Sequence, residues 1–404
     1  MRLLKVEFVG DDLYMDSTFS FDLFASDRVL VPDDDKPLAN VHRVGNTRSV
    51  YTQNVIGISG VNASGKTTSV NLLEFASQYL TMTCLIRSDR FVTRMMPAKL
   101  TDHFSLRAVF WHEGHAYAIV SELKLRRGMD EQSWYRIEDE HLYELRSHAL
   151  TKTLLSSVNN FIESSELLIS RNAKPGETGA LTEEERTFLR DDMSVAMAVT
   201  HRRITDGISA VGQLDKASYS TALVNAFDPS VEYLRWDPGS EVYLLKFHDE
   251  PERSLSRNAA EQQLSYGTLV GSEMVLRAVG ILRAGGLMIV DEIERGLNKS
   301  LVRTIIDLFL SGTTNPHGAQ LVFTTHYPEI LDFLPRKDDV YLLVRDSSHK
   351  TSVIKYSDRV ERIENKKSEI VLSNYIKGTL PNYPDIRDLR EYVARSVREV
   401  GDEQ

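Results

Sequence analysis

One octapeptide constrains this chain more than any other feature. Gly60-Val61-Asn62-Ala63-Ser64-Gly65-Lys66-Thr67 fits G-x-x-x-x-G-K-[ST] in full. It stands between a short apolar run, Asn54-Val55-Ile56-Gly57-Ile58-Ser59, and a segment of helical spacing from Thr67 to about Thr81. Strand, glycine-bounded loop and helix in that order read as a phosphate-binding turn. The two glycines let the backbone wrap closely. The N–H groups of Asn62, Ala63, Ser64, Gly65, Lys66, Thr67 and Thr68 then converge with the helix N-terminus on an anion. Lys66 is expected to neutralise β- and γ-phosphate oxygens, and the Thr67 hydroxyl to join the hard-oxygen shell of Mg2+.

A phosphate loop alone does not make a hydrolase; a carboxylate pair is needed as well. Leu287-Met288-Ile289-Val290-Asp291-Glu292 provides four apolar strand residues ending in two acids. The first acid, Asp291, is assigned to Mg2+ through water, and Glu292 to the general base that activates the attacking water. Leu321-Val322-Phe323-Thr324-Thr325-His326 is a second apolar strand ending in a histidine, far enough on for one helix, Leu301 to Leu310, to intervene. Two neighbouring parallel strands would bring Asp291, Glu292 and His326 to one sheet edge, where His326 reaches the γ-phosphate and the water. Upstream, Gln263-Leu264-Ser265-Tyr266-Gly267-Thr268 precedes a helix carrying Met274, Leu276, Val279 and Ile281-Leu282. Taken alone, that is a helix capped by Ser265 or Thr268.

The rest of the chain fills in around these motifs. The first 150 residues read as β-rich around one helix, with strands at the N-terminus, at Phe19–Leu23, and at Phe104–Phe110 and Ala116–Val120, the last two turned at Glu113-Gly114; Trp134–Leu145 adds another. From 149 to 228 the pattern turns helical, at Leu154–Leu168, Leu181–Met197 and Ile208–Ala226, around a polar break from Arg171 to Gly179. Val231–Trp236 and Glu241–Phe247 form a hairpin, and helix and strand alternate from there to Tyr356. No apolar run approaches a membrane span and no secretory leader is present. The single cysteine, Cys84, excludes an internal disulfide, which fits a reducing cytoplasm. With 48 basic against 58 acidic residues, a net charge of −10, the chain is no nucleic-acid glove. Its local basic clusters (Arg87, Arg90 and Arg94; Lys124-Leu125-Arg126-Arg127; His201-Arg202-Arg203) read as solvated faces.

Phosphate loop, long insertion, Leu264-Ser265-Tyr266-Gly267-Thr268, Asp291-Glu292 and His326, in this order, resemble the ABC-type ATPase head of the SMC-like kind over about residues 1–148 and 229–360. That resemblance implies an α/β fold, a P-loop ATPase head of mixed β-sheet with flanking helices plus an antiparallel β subdomain, interrupted by a helical insertion. The parts would be residues 1–148, the insertion 149–228, and 229–404. It further implies a homodimer, open to higher oligomers, in which ATP is sandwiched between two heads. Ser265 and Gly267 of one subunit would cap the γ-phosphate held by Lys66 of the other, with Glu294 to Lys299 as the D-loop. The signature reads LSYGT rather than the transporter form LSGGQ, no glutamine occupies the Q-loop position, and the insertion lacks the heptads of a long coiled-coil arm.

A closer likeness is to the stand-alone AAA-family ATPases of bacterial defence, of the RloA/AbiL abortive-infection type, and to OLD-family heads. LSYGT, the DEIERGLN and TTHYPEIL segments, and Lys367-Ser368 followed by Asn374-Tyr375-Ile376-Lys377-Gly378 and a proline at 381 or 384 carry it. The residues after His326 lack the acidic set of a Toprim nuclease. The likeness therefore implies an ATPase sensor or regulator whose effector, a nuclease or toxin, is a separate protein. The alternative is an ATPase acting directly on DNA in repair. The insertion and the segment from about Ser357 are the expected partner contacts.

Overall fold

Val55–Gly60 is buried at every position but the last, which requires a strand covered on both faces. The computed structural model describes residues 1–30, 40–81, 100–127, 133–146, 149–200, 205–208, 214, 216–361, 365–380 and 383–399. Its first elements are β1 (Arg2–Asp11), β2 (Thr18–Asp22), β3 (Val41–Arg43), β4 (Tyr51–Gln53), β5 (Val55–Gly60) and helix α1 (Lys66–Thr81). The long strands β6 (Leu100–His112), β7 (His115–Arg127) and β8 (Ser133–Arg146) follow. Next come α2 (Lys152–Leu155), α3 (Val158–Glu163), β9 (Glu166–Ser170), α4 (Glu183–Phe188), α5 (Met197–Thr200), β10 (Thr205–Ile208) and α6 (Thr221–Phe227). The C-terminal half runs β11 (Val231–Asp237), β12 (Val242–Phe247), β13 (Arg253–Leu255), α7 (Arg257–Gln263), α8 (Tyr266–Ala284), β14 (Leu287–Val290), α9 (Lys299–Leu310) and β15 (Gln320–Thr325). It closes with β16 (Val340–Arg345), β17 (Thr351–Lys355), α10 (Lys367–Leu372) and α11 (Tyr383–Glu399).

Two six-stranded sheets organise the molecule. One is antiparallel, in the order β2-β1-β6-β7-β8-β9. The other, β10-β14-β15-β5-β16-β17, is parallel except for its last strand. Helix α1 lies between them, and thirteen of its sixteen residues are buried. This segment of helical spacing is packed from two sides: Phe8 and Leu106 of the antiparallel sheet and Ile58 and Ile289 of the parallel one meet Leu72, Leu73 and Phe75 in one core. Alternate residues of the parallel strands, Met288, Val290, Leu321 and Phe323, point the other way, onto Val270 and Met274 of α8 and Ile305 and Phe309 of α9. The fold is thus an α/β P-loop architecture with an antiparallel β layer, as the motif order implied.

The segment 149–228 departs from its expected helices. Leu154–Leu168 breaks into α2 and α3, each started by a serine or threonine hydroxyl (Thr151, Ser157), and then extends as β9 against β8. Of the second stretch, Glu183–Phe188 is helical and Met197 opens α5; between them the chain is held from outside. The buried Glu140 accepts hydrogen bonds from Ser194 Oγ and the Val195 N–H, both at 2.8 Å, and from Tyr79 of α1, and it pairs with Arg171 at 2.9 Å. Of the third stretch, Ile208 ends the strand Thr205–Ile208 paired with β14, and among the described residues helix starts at Thr221, behind the Ser220 cap. Tertiary pairing and side-chain competition override helical periodicity here. The segment gives one strand to each large sheet. Cys84, the arginines at 87, 90 and 94, the His201–Arg203 cluster and Pro381 lie outside the described residues.

The two sheets are joined by a buried charge cluster. Asp22 at the end of β2 accepts from Lys5 of β1 at 2.7 Å and from Lys355 of β17 at 2.8 Å, and both lysines are almost fully buried. Burial by itself would raise the Asp22 carboxyl, but the charges and hydrogen bonds of Lys355 and Lys5 outweigh it and hold the group below the ordinary aspartate range. A depressed carboxyl contributes stability above its unfolded pKa and loses it as pH falls through the folded one. Asp22→Asn should therefore cost about 3–5 kcal/mol at pH 7, because two buried ammoniums lose their counter-ion. The variant should also lose less than the wild type between pH 5 and pH 3. Urea unfolding at both pH values checks this; parallel pH slopes would mean that Asp22 is not a linked group.

Candidate functional site

Parallel strands deliver their C-terminal ends to one edge, and β14, β15, β5 and β16 end there side by side. A cleft of about 660 Å³ opens at that edge. Its walls include Asn62, Ala63, Gly65, Lys66, Thr67, Thr68, Asp291, Glu292 and His326. The structure thus assembles phosphate loop, carboxylate pair and histidine from segments more than 200 residues apart. Gly60 and Ser64 lie beneath the loop rather than on the cleft wall. A Cβ on Gly60 would come 2.5 Å from the Leu343 carbonyl and 2.6 Å from Ser64 Oγ, so no other residue fits at the strand end.

Lys66 is folded back on its own loop. Its Nζ donates to the carbonyls of Gly60 at 2.7 Å and Val61 at 3.0 Å, with no direct carboxylate contact among the described residues. Burial pulls this ammonium below the ordinary lysine range, and the carboxylates of Asp291, Glu292 and Glu294 act against that shift. The Thr67 hydroxyl donates to Asp291 Oδ2 at 2.7 Å, and the Thr324 hydroxyl to Asp291 Oδ1 at 2.6 Å. Hydroxyl and carboxylate are both hard oxygen donors suited to Mg2+. Among the described residues no group of three or more His, Cys, Asp and Glu side chains forms a metal site by itself.

Glu292 stands in a left-handed backbone conformation, φ 54°, rare for a residue with a side chain. The strain is held by its neighbours: the Glu292 N–H donates to Thr324 Oγ1 at 2.7 Å, and the Ile293 N–H to the Thr324 carbonyl at 3.0 Å. The twist aims the carboxylate into the cleft, with Oε1 3.3 Å from His326 Nε2. His326 is fixed in turn by Glu294, whose Oε1 accepts the His326 N–H at 2.7 Å. Both side chains stay partly open to solvent, at 36% and 40% exposure, as groups that must meet a water would.

Ser265 and Gly267 do not line this cleft. Ser265 caps α8, its Oγ accepting the Thr268 N–H at 3.1 Å, and it is exposed. A Cβ on Gly267 would sit 2.5 Å from the carbonyl of Gly296, so this glycine lets the signature turn rest directly on the Glu294–Lys299 loop. The two segments expected at an intersubunit surface therefore form one surface on the monomer. Asn298 ends that loop by capping α9.

Several contributors have no local signature in the sequence. Arg345 at the end of β16 lines the cleft and donates from Nη1 to the Ala63 carbonyl at 3.0 Å; the position of β16 beside β5 was its only signal, visible once the strand order is known. Thr324, the fulcrum of the Asp291-Glu292 turn, shows in the sequence only as one residue of an apolar strand. The Lys367-Ser368 pair has a structural task. Ser368 donates from N and Oγ to Asp332, and Lys367 Nζ to the Leu334 carbonyl, which ties α10 to the turn that follows His326. In the basic clusters, Arg126 is occupied by Glu138 at 2.6 Å.

No helix among the described residues is long and apolar enough to cross a membrane. No curated protein matches the chain. A family model described as "AAA domain, putative AbiEii toxin, Type IV TA system" matches residues 127–332, just over half of the 404. The matched span holds the signature turn, the carboxylate pair and His326, whereas the phosphate loop lies before it, so motif and family match are independent observations. Together they identify the chain as a member of this AAA-domain family of P-loop, nucleotide-binding ATPases.

Proposed function

We propose that this protein hydrolyses ATP between two copies of itself and uses that cycle to regulate a separately encoded effector, a nuclease or toxin, in bacterial anti-phage defence. The observation that carries the ATPase part is the single cleft in which Lys66, the bonded pair Thr67–Asp291, and the facing pair Glu292–His326 meet. The family description, with its toxin–antitoxin context, supports the defence part.

In the hydrolytic step, Lys66 would leave the Gly60 and Val61 carbonyls for the β- and γ-phosphate oxygens. Loop N–H groups and the α1 N-terminus would hold the remaining charge. Thr67 and Asp291 would hold Mg2+, which when bound supplies positive charge against the phosphates. Glu292 accepts a proton from water as the water oxygen bonds to the γ-phosphorus and the bond to the bridging β–γ oxygen breaks, leaving ADP and phosphate. His326 Nε2 would orient the Glu292 carboxylate and the water. The exposed Ser265 and Gly267 turn would complete the partner's γ-phosphate site. A direct DNA role is less favoured, with Arg126 already paired to Glu138 and the net charge at −10.

Ser265→Arg tests the shared site. Loss of the cap costs about 1 kcal/mol of stability, which leaves the fold intact. The bulky cation should lower ATP turnover by roughly 100-fold, the scale of losing one donor to developing charge. Binding of ATP to the monomer should stay within about twofold. Normal turnover in a steady-state phosphate-release assay would mean that the signature turn does not act across an interface.

A further inference from the structure

We propose that the protein carries a second phosphate-binding site, at the edge of the parallel sheet opposite the nucleotide cleft. A cavity of about 440 Å³ lies there, where Arg2 of β1, His42 of β3, Trp111 and His112 of β6, Arg283 of α8 and His317 before β15 converge. Among the described residues, two guanidiniums in this cavity have no carboxylate partner. Arg2 donates only to backbone carbonyls, His317 at 2.6 Å and Arg43 at 3.4 Å, and Arg283 makes no ion pair among the described residues. The remaining carboxylate on the cavity wall, Glu113, is exposed and turned towards His112 at 3.7 Å.

Other cations of this molecule rest on carboxylates: Lys5 and Lys355 on Asp22, Arg171 on Glu140, Arg336 on Asp338. Arg2 is half-buried and Arg283 exposed, and among the described residues neither is neutralised by a carboxylate, which leaves both able to take an anion from outside the chain. The crowding of positive charge is visible in its effects. Burial brings Arg2 down to about 10, and burial, then Arg2 and His317, bring His42 down to about 4, so His42 is a neutral donor or acceptor and the charge rests on the arginines. Two guanidiniums flanked by imidazoles match the tetrahedral, many-acceptor geometry of a phosphate group. The volume leaves room for a substituent against Trp111. The site stands on functional elements: Arg283 lies in the last turn of the helix that starts after Ser265, and His317 leads into the strand that ends at His326.

The test is calorimetric titration of the full chain with inorganic phosphate and, separately, with AMP. It is done in Lys66→Ala protein so that the phosphate loop contributes little. The Lys66→Ala protein should bind phosphate at one site and rise in Tm with it. Adding Arg283→Gln, at an exposed position, should weaken that binding at least about tenfold and abolish the Tm rise. Arg2→Lys, which retains charge but loses the fork, should give an intermediate loss. Tighter binding of AMP than of phosphate would identify a nucleotide as the source, and equal binding the free ion. Absence of binding in the Lys66→Ala protein, or affinity unchanged by Arg283→Gln, would overturn the proposal.

Discussion

Lys66→Ala should weaken ATP binding by about 30-fold or more while the protein stays folded. The lysine presents its cation at the phosphate loop, and truncating a buried charge partner costs about 2–5 kcal/mol, each 1.4 kcal/mol being tenfold. The structure adds a second consequence. Lys66 Nζ bridges the Gly60 and Val61 carbonyls, so its loss also frees the loop it helps to shape. The binding loss should therefore exceed that of Lys66→Met, which still fills the space. A titration with a fluorescent ATP analogue, accompanied by a thermal melt, measures both. Unchanged affinity in a protein of normal Tm would remove the phosphate loop from the account.

Much of this site is legible in the sequence because its chemistry is written in contiguous motifs. Gly60–Thr67, Asp291-Glu292 and His326 each follow an apolar strand, and parallel strands necessarily present their C-terminal ends together. The alternation of Met288 and Val290 with Leu287 and Ile289 between two cores likewise follows from the period of two in a strand. What could not be read depends on partners distant in sequence. Arg345 acts on Ala63 only because β16 lies beside β5, and Glu140 organises the 194–195 backbone from more than 50 residues away. Helical spacing in 149–228 misled for the same reason. A strand such as Thr205–Ile208 is made by the edge of β14 that receives it, not by its own pattern. The left-handed turn at Glu292 also has no local signature, since glutamate does not announce it; Thr324, on the neighbouring strand, holds it.

Glu292→Gln is the second change with a large expected effect, and it separates binding from chemistry. Glutamine preserves the shape of the side chain and can still face His326, but it cannot take the proton from water. Turnover should fall by about 100- to 10,000-fold, the range that general base catalysis supplies. Lys66, Thr67 and Asp291 are untouched, so ATP should bind as in the wild type. If two heads close around ATP, a protein that binds without hydrolysing accumulates in the closed form. The most direct measurement is therefore light scattering of Glu292→Gln after size exclusion, with and without Mg·ATP. A species of twice the chain mass should appear, require ATP and be lost when Ser265→Arg is added. A chain that saturates with ATP and remains a monomer would contradict the shared nucleotide site on which the proposed function rests.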